Sequence, residues 1–207
     1  MIDKLKSFLA NQKLPGKDQQ LKFTKYQKLL DRIDLEQIKP RLSAVCIVLY
    51  PDNDKWFSVL IERPTYKGFH SGQIAFPGGK TEKDDKSLWQ TAQRETFEEV
   101  GIAMQDLEYI GALTNIYIPP SNFMVYPFVG VLNNKPSFVK DPKEVARIIT
   151  YDINTLLDNS IIKQMDMEQS NNNKVHTTYY DIEGNVVWGA TAMMLTEFKE
   201  ILKRINF

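Results

Sequence analysis

A segment with three glutamates follows closely on a glycine turn, and this arrangement constrains the fold more than any other feature of the chain. The turn spans Phe76 to Gly79, and the segment runs from Ser87, a favourable N-cap, to Gly101, a favourable C-terminal stop. Helical periodicity predicts an amphipathic helix, whose core-facing side is formed by Leu88, Trp89, Ala92, Thr96 and Val100. The glutamates then lie on the border between the core and the solvent.

These glutamates are Glu95, Glu98 and Glu99, and at 100° per residue they share an arc of about 100°. Like charges at this spacing repel each other, and a hard divalent cation with oxygen ligands would neutralise them. Glu95 and Glu99 can bind from successive turns, the glycine turn can offer a carbonyl, and Arg94 can orient a carboxylate. The alternative is a solvated charged face, which explains the glutamates but not the glycine turn beside them.

The charge balance limits the class of ligand. The chain has 26 Lys plus Arg and 26 Asp plus Glu among 207 residues, so its formal net charge is zero. A protein that neutralises many phosphates of a nucleic acid needs a basic surplus. We therefore expect no nucleic-acid partner, and we expect a small-molecule substrate in a local pocket.

Cysteine content and hydropathy exclude further classes. The single cysteine, Cys46, lies in an apolar run typical of a strand, which excludes disulfides and Cys-rich zinc sites. No stretch approaches eighteen consecutive apolar residues, which indicates that no helix spans a membrane, and no signal-peptide pattern is present. We expect a cytoplasmic protein without membrane contacts.

Hydrophobic patterning predicts an α+β protein in one main domain. Strands are expected over 44–50, 56–62, 107–114 and 123–132, a hairpin over 175–188 that turns at 183–185, and a C-terminal helix around Met194 to Ile205. Residues 1–38 are polar and helix-prone and form an N-terminal helical extension, whereas 39–207 form the main domain. We expect the extension to pack on the main domain or to contribute to a homodimer.

The stretch from Arg94 to Ile102, preceded by Gly78 and Gly79, resembles the Nudix box, G-x5-E-x7-R-E-U-x-E-E-x-G-U, in which U is apolar. Thr96 departs from the pattern at an apolar position. Counted from Gly79, Asp85 stands in place of the first Glu, and Arg94 comes one residue late. Such an Asp and extra residue are similar to the coenzyme A diphosphatase branch. The resemblance implies the Nudix fold, a mixed β-sheet sandwiched between helices.

The region before the box is similar to the same branch, whose signature reads L-L-x-K-R-S-x3-R-x3-G-x3-F-P-G-G. Leu60, Arg63, Gly72 and Phe76 to Gly79 fall in register with it, and the replaced positions are Glu62, Pro64 and Gly68. Gly68 stands where the second Arg is usual, which removes a cation from a motif expected to contact an anion. Further stretches similar to the branch are 118–123, 125–130, 144–145 and 188–192.

The resemblance implies metal-dependent hydrolysis of coenzyme A or its thioesters to adenosine 3′,5′-bisphosphate and (acyl-)4′-phosphopantetheine. The cofactor is Mg²⁺ or Mn²⁺, which activates water and neutralises charge on the diphosphate. An alternative is a Nudix hydrolase acting on ADP-ribose, NADH or a nucleoside triphosphate. A non-catalytic nucleotide-binding module is a second alternative, which the presence of all three glutamates disfavours.

The resemblance also implies roles for individual residues. The implied metal ligands are Glu95, Glu98, Glu99 and the Gly79 carbonyl, and the implied catalytic residues are Glu98, Glu144 and Arg94. Glu98 and Glu144 are the two candidates for the general base, which must reach the attacking water. The expected substrate contacts are Arg63, Lys67, His70, Ser121 and Phe123. Among these Arg63 is the expected diphosphate clamp, because a planar guanidinium can bond two oxygens at once.

Overall fold

A computed structural model describes residues 1–23, 35–65, 71–168 and 174–207. The helices are α1 (Ile2–Asn11), α2 (Lys17–Gln20), α3 (Leu35–Ile38), α4 (Leu88–Val100) and α5 (Gly189–Arg204). The strands are β1 (Arg41–Asp52), β2 (Lys55–Glu62), β3 (Ile74–Ala75), β4 (Gly78–Lys80), β5 (Glu108–Ala112), β6 (Ile116–Ile118), β7 (Phe123–Val131), β8 (Arg147–Asp152), β9 (Ile162–Glu168), β10 (Lys174–Ile182) and β11 (Asn185–Val187).

The main sheet is mixed and is centred on β1. Strand β1 pairs in parallel with β7 and antiparallel with β2 and β4, in the order β3-β2-β1-β7-β5, while β6 flanks β7 and β8 flanks β2. A second sheet has the order β11-β10-β9. The register of β1 with β4 places Ala44 opposite Gly79 and Val45 opposite Gly78, so the glycine turn lies against the central strand.

Alternate residues of β1 face two different core layers, because successive side chains of a strand point to opposite faces. Cys46 and Val48 pack in the layer that contains Ala92 of α4, whereas Ile47 and Leu49 pack in the layer that contains Phe198 of α5. A sheet covered by a helix on each face confirms the predicted α+β fold class. Burial raises the pKa of the Cys46 thiol to about 12, as expected for an inert core residue.

The predicted glutamate helix is confirmed as α4, and both of its predicted ends are correct. The Ser87 hydroxyl accepts a hydrogen bond from the Gln90 amide at 3.1 Å, and Gly101 adopts the left-handed conformation with φ of 77°. Thr96, which departs from the apolar pattern, is fully buried and donates its hydroxyl to the Ala92 carbonyl at 2.6 Å. This bond satisfies the hydroxyl, so the core tolerates it.

The N-terminal helix packs against the main sheet. Leu5 of α1 is fully buried in the core layer that contains Phe198, the α5-side core layer. Leu9 of α1 lies so close to β5 that a Cβ atom placed on Gly111 would be 2.5 Å from the Leu9 Cβ. The division at residue 38 and a homodimer contact stay predictions, and 24–34 lie outside the described residues. In the part of the chain that is described, no helix is long and apolar enough to cross a membrane.

A fully buried carboxylate connects the two ends of the chain. Glu197 of α5 accepts hydrogen bonds from the Gly16 amide at 2.9 Å and from the Gln20 side chain at 2.7 Å. It also accepts from the amide and the hydroxyl of Thr114, at 3.1 and 2.7 Å. Four donors therefore converge on one carboxylate, as burial of a polar group requires.

We expect Glu197→Ala to lower the free energy of unfolding by about 3 kcal/mol, because buried donors would lose their acceptor. Urea unfolding of the purified variant measures this change. The matched control is Glu200→Ala, which lies one turn away in α5 and removes only an exposed pair with Arg204, so its effect should stay below about 1 kcal/mol. Equal unfolding midpoints for the two variants would contradict the structural role of Glu197.

Candidate functional site

The glycine turn lies so close to β1 that a side chain could not be accommodated at Gly78. The Cys46 amide donates a hydrogen bond to the Pro77 carbonyl at 2.8 Å, which fixes the turn to the strand. Gly78 has φ of 152°, and a Cβ atom on it would lie 2.5 Å from the Val45 Cα. Glycine is therefore required at 78 for both conformation and space.

The absence of a side chain at Gly79 leaves room for the carboxyl group of Glu95. A Cβ atom on Gly79 would lie 2.5 Å from the Cδ of Glu95, so the Glu95 carboxyl group rests directly on the Gly79 backbone. Glu95 is 8% exposed, and burial raises its pKa, an effect that Arg94 partly offsets. The turn and the helix thus meet at the carboxylate that the sequence placed among the metal ligands.

Glu99 is the most buried acidic group of this site. Its Oε2 accepts a hydrogen bond from the Gly78 amide at 2.7 Å, whereas its Oε1 is buried and has no hydrogen-bond partner within the described residues. Burial raises the pKa of Glu99 to about 8, and the Glu95 and Glu144 carboxylates add to this rise, while Gly78 and Arg63 oppose it. An unpaired oxygen in this position is a strong acceptor without a donor.

Glu95, Glu99 and Glu144 come together. One carboxylate oxygen from each lies within 4.8 Å of the others, and Glu95 and Glu99 are buried whereas Glu144 is exposed. Three carboxylates at this separation, one with an unpaired buried oxygen, fit a divalent cation that prefers oxygen ligands. The same grouping with no cation would bring negative charges together in a poorly solvated place.

Arg94 is held by carboxylates, one of which, Glu95, belongs to the group of three. Its Nε and Nη2 donate to the two oxygens of Asp85, each at 3.0 Å, and Nη2 also donates to the Lys80 carbonyl. Its Nη1 donates to Glu95 and to Glu98, each at 2.9 Å. Arg94 therefore links the loop before α4 to the Glu95 carboxylate.

Asp85, which stands in place of the first Glu of the box, is a hydrogen-bond and ion-pair partner of Arg94. Hydrogen bonds from Arg94 lower the pKa of Asp85 to about 2, and its carboxylate also accepts from the Glu82 amide and the Thr91 hydroxyl. Asp85 in turn raises the pKa of Arg94. Asp85 and Arg94 form an ion pair at 3.0 Å. The Asp and the extra residue that depart from the general box are therefore compatible with a direct contact to Arg94.

Glu98 is separated from the group of three. Its side chain is 46% exposed and accepts from Arg94, and it is absent from the carboxylates that lie within 4.8 Å of one another in the described residues. Its predicted roles as ligand or base therefore stay predictions. The predicted Gly79 carbonyl ligand also stays a prediction, although its residue borders Glu95.

Arg63 follows the end of β2 and reaches the metal-binding candidates. Its Nη1 forms an ion pair with Oε1 of Glu99 at 3.9 Å, a distance too long for a hydrogen bond, and its side chain is 30% exposed. Its Nε is buried and has no hydrogen-bond partner within 1–23, 35–65, 71–168 and 174–207. A guanidinium with an unused donor beside a cation site is suited to bind an anionic ligand.

The other predicted substrate contacts are less well connected to this group. Ser121 is buried and its hydroxyl has no partner in the described part of the chain, while Phe123 carries the Arg41 guanidinium 4.1 Å above its ring. Arg41 also donates to the Ser121 carbonyl at 2.8 Å. Lys67 and His70 lie outside the described residues.

Comparison with known proteins agrees with this geometry. The family described as NUDIX domain matches residues 40–167. The uncharacterized Nudix hydrolase NudL of Yersinia pestis (strain Pestoides F) is 33% identical over 138 residues, which are 66% of this chain and 68% of that protein. NudL of Yersinia pseudotuberculosis serotype O:1b matches to the same extent.

Two solved structures share the fold at low sequence identity. The Nudix hydrolase RenU of M. Smegmatis aligns with a TM-score of 0.55 and 13% identity over 81% of this chain and 89% of that chain. A MutT/nudix family protein from Enterococcus faecalis aligns with a TM-score of 0.52 and 13% identity over 97% and 74%. These alignments show the fold, and the family match together with the NudL identity shows that the chain belongs to the Nudix family, as a hydrolase of nucleoside diphosphate derivatives.

Proposed function

We propose that this enzyme hydrolyses the diphosphate bond of coenzyme A or of its thioesters, giving adenosine 3′,5′-bisphosphate and (acyl-)4′-phosphopantetheine. The observation that carries the hydrolytic part is the group of Glu95, Glu99 and Glu144 beside the glycine turn. The choice of coenzyme A rests on the branch residues of the sequence, above all Arg63, Gly72 and the Phe76 to Gly79 turn.

The proposed cofactor is Mg²⁺ or Mn²⁺, held by Glu95, Glu99 and Glu144. Bound there, it would supply water activation and charge neutralisation. Arg94 keeps the Glu95 carboxylate in place through its own bonds to Asp85 and is a positioning residue in this scheme. With Glu144 assigned to the cation, Glu98 is the candidate for the general base, since it lies on the exposed side of the same helix.

A substrate panel tests this proposal. The purified protein is incubated with Mg²⁺ or Mn²⁺ and with coenzyme A, acetyl-CoA, dephospho-CoA, ADP-ribose, NADH or a nucleoside triphosphate, and the products are separated by chromatography. We expect adenosine 3′,5′-bisphosphate to form selectively from coenzyme A or its thioester. Cleavage of another diphosphate while coenzyme A stays intact would contradict the substrate but not the family.

A second substrate class is favoured by one residue. Gly68 stands where the branch signature has an Arg, and a substrate without a 3′-phosphate would have less need of that cation. The comparison of dephospho-CoA with coenzyme A isolates this group, because the two differ only in the 3′-phosphate. Faster hydrolysis of dephospho-CoA, ADP-ribose or NADH would favour the second class.

Arg63→Ala is expected to raise the KM about tenfold, because a charge-assisted bond to a diphosphate oxygen is worth about 1.5 kcal/mol or more. Arg63→Lys retains the charge but loses the planar fork, so it should recover only part of the loss. Steady-state kinetics on the preferred substrate measure both variants. The control is Arg204→Ala, which removes an exposed pair at the end of α5. Unchanged kinetics for Arg63→Ala would contradict the binding of the substrate diphosphate by Arg63.

A further inference from the structure

The turn that carries Glu144 is built around Asp141. The Asp141 Oδ1 accepts a hydrogen bond from the Lys143 amide at 2.8 Å. Its carbonyl accepts from the amides of Glu144 and Val145, at 3.2 and 2.8 Å. A short acidic side chain that bonds the amide two residues ahead imposes a turn on the chain. The amides of Lys143, Glu144 and Val145 thus all donate hydrogen bonds to Asp141.

The same turn is attached to the end of the glutamate helix. The Asp141 amide donates to the Glu99 carbonyl at 3.4 Å, and the Val139 amide donates to the Val100 carbonyl at 3.0 Å. The last carbonyls of a helix lack partners within the helix, so a neighbouring segment can bind them. The backbone of Glu99 therefore holds the segment whose side chain, Glu144, meets the Glu99 carboxylate.

The far side of the turn is also fixed. Val145 is fully buried in the α4-side core layer, the Ala146 amide donates to the Glu62 carbonyl at 2.9 Å, and Arg147 donates to the Glu62 carboxylate at 2.8 Å. Glu144 itself is exposed, and no donor to its carboxylate is found in the described ranges. The backbone of the turn therefore fixes the point from which the Glu144 side chain extends toward Glu95 and Glu99.

We propose that Asp141 is a positioning residue that holds the Glu144 carboxylate within reach of the cation site formed by Glu95 and Glu99. The role requires the Oδ1 acceptor and not the charge of Asp141, because the bond to the Lys143 amide needs only an oxygen at that place. This inference rests on the proposed function, since it takes Glu144 as a ligand. An Asp141 that only stabilises a surface turn is the competing explanation.

The test compares three substitutions by the Mn²⁺ dissociation constant, measured by isothermal titration calorimetry on the full chain without substrate. Asp141→Ala removes the acceptor and should weaken Mn²⁺ binding about tenfold, the lower range for loss of a residue behind a metal ligand. Asp141→Asn removes the same charge but keeps Oδ1, so its affinity should stay within about twofold of the wild type. Asp141→Glu keeps the charge but displaces the oxygens, so it should resemble Asp141→Ala.

A double-mutant comparison separates positioning from general loosening of the fold. Glu144→Gln alone should weaken Mn²⁺ binding, and addition of Asp141→Ala to Glu144→Gln should weaken it no further. The matched control is Asp158→Ala in another turn, where Oδ1 of Asp158 accepts a hydrogen bond from the Ser160 amide at 2.8 Å and Oδ2 accepts from the Ser160 hydroxyl at 2.6 Å. It should leave the Mn²⁺ affinity unchanged.

Each outcome decides between the proposals. Wild-type affinity in Asp141→Ala, or an equal loss with and without Glu144→Gln, would overturn the positioning role while the cation site stands. No Mn²⁺ binding by the wild type would overturn the proposed function and this inference together. Where Asp141→Ala does not fold by circular dichroism, the comparison of Asp141→Asn with Asp141→Glu decides the same question.

Discussion

Glu99→Gln is expected to reduce kcat by at least about 10³-fold, equivalent to about 4 kcal/mol of transition-state stabilisation. Glutamine keeps the shape of the side chain and an oxygen for the Gly78 amide, which donates to Oε2 at 2.7 Å. It removes the negative charge that Glu99 would offer to the proposed cation. Steady-state turnover of the preferred substrate with Mg²⁺, compared with the wild type, measures the effect.

The folded state should tolerate this substitution. Burial already disfavours the charged form of Glu99, as its pKa of about 8 indicates, so a neutral amide should not lower the free energy of unfolding of the metal-free protein. Glu108→Gln is the control, because Glu108 is an exposed acid that pairs with Lys6 on the far part of the sheet. Near-normal turnover of Glu99→Gln would refute its assignment to the cation.

Gly79→Ala is expected to reduce kcat about 10²-fold with little loss of stability, because a misplacement of about 1 Å at a reacting group has an effect of this size. The added Cβ would lie 2.5 Å from the Cδ of Glu95, so the carboxylate must move away from the turn. The contact is with the far end of a flexible side chain, which can shift without disturbing β4. Kinetics and thermal unfolding of the same preparation separate the two effects.

Gly130→Ala provides the comparison for this glycine. Its Cβ would lie 2.8 Å from the Cδ1 of Leu107, also a flexible end, but on β7 within the core layer that contains Cys46. It should change stability more than turnover, the reverse of Gly79→Ala. If both glycine variants lost turnover and stability in the same proportion, the special position of Gly79 beside Glu95 would be contradicted.

The helix and the fold class were predictable from the sequence because their signals are local or repeated. Ser87 and Gly101 terminate α4 as predicted, and Ala92, Thr96 and Val100 face the core as the helical period requires. The strands also follow the apolar runs, although β1 begins earlier, at Arg41, and continues to Asp52. Its pairing with β7 at Arg41 and with β2 at Asp52 adds ends that carry no apolar signal of their own.

The parts that the sequence did not predict depend on contacts between distant residues. Periodicity placed Glu98 in the same arc as Glu95 and Glu99, but Glu98 is bonded to Arg94 outside the described group. Glu144, which was predicted only as a candidate base, joins Glu95 and Glu99 instead. Asp141 has no motif around it, because its role arises from bonds to the end of α4. Strand β9 was missed since Ile162 to Glu168 alternates weakly, and its pairing with β10 decides its structure.

The Glu197 cluster has a consequence for how the chain is made. Synthesis proceeds from the N-terminus, and the partners of this carboxylate at Gln20 and Gly16 precede it by 177 and 181 residues. Helix α2 cannot make these bonds until residue 197 has been translated, so this step of folding must follow the synthesis of α5. Contacts of such sequence separation also slow folding. A nascent chain arrested before Glu197 should therefore leave the segment from Gly16 to Gln20 without its buried acceptor.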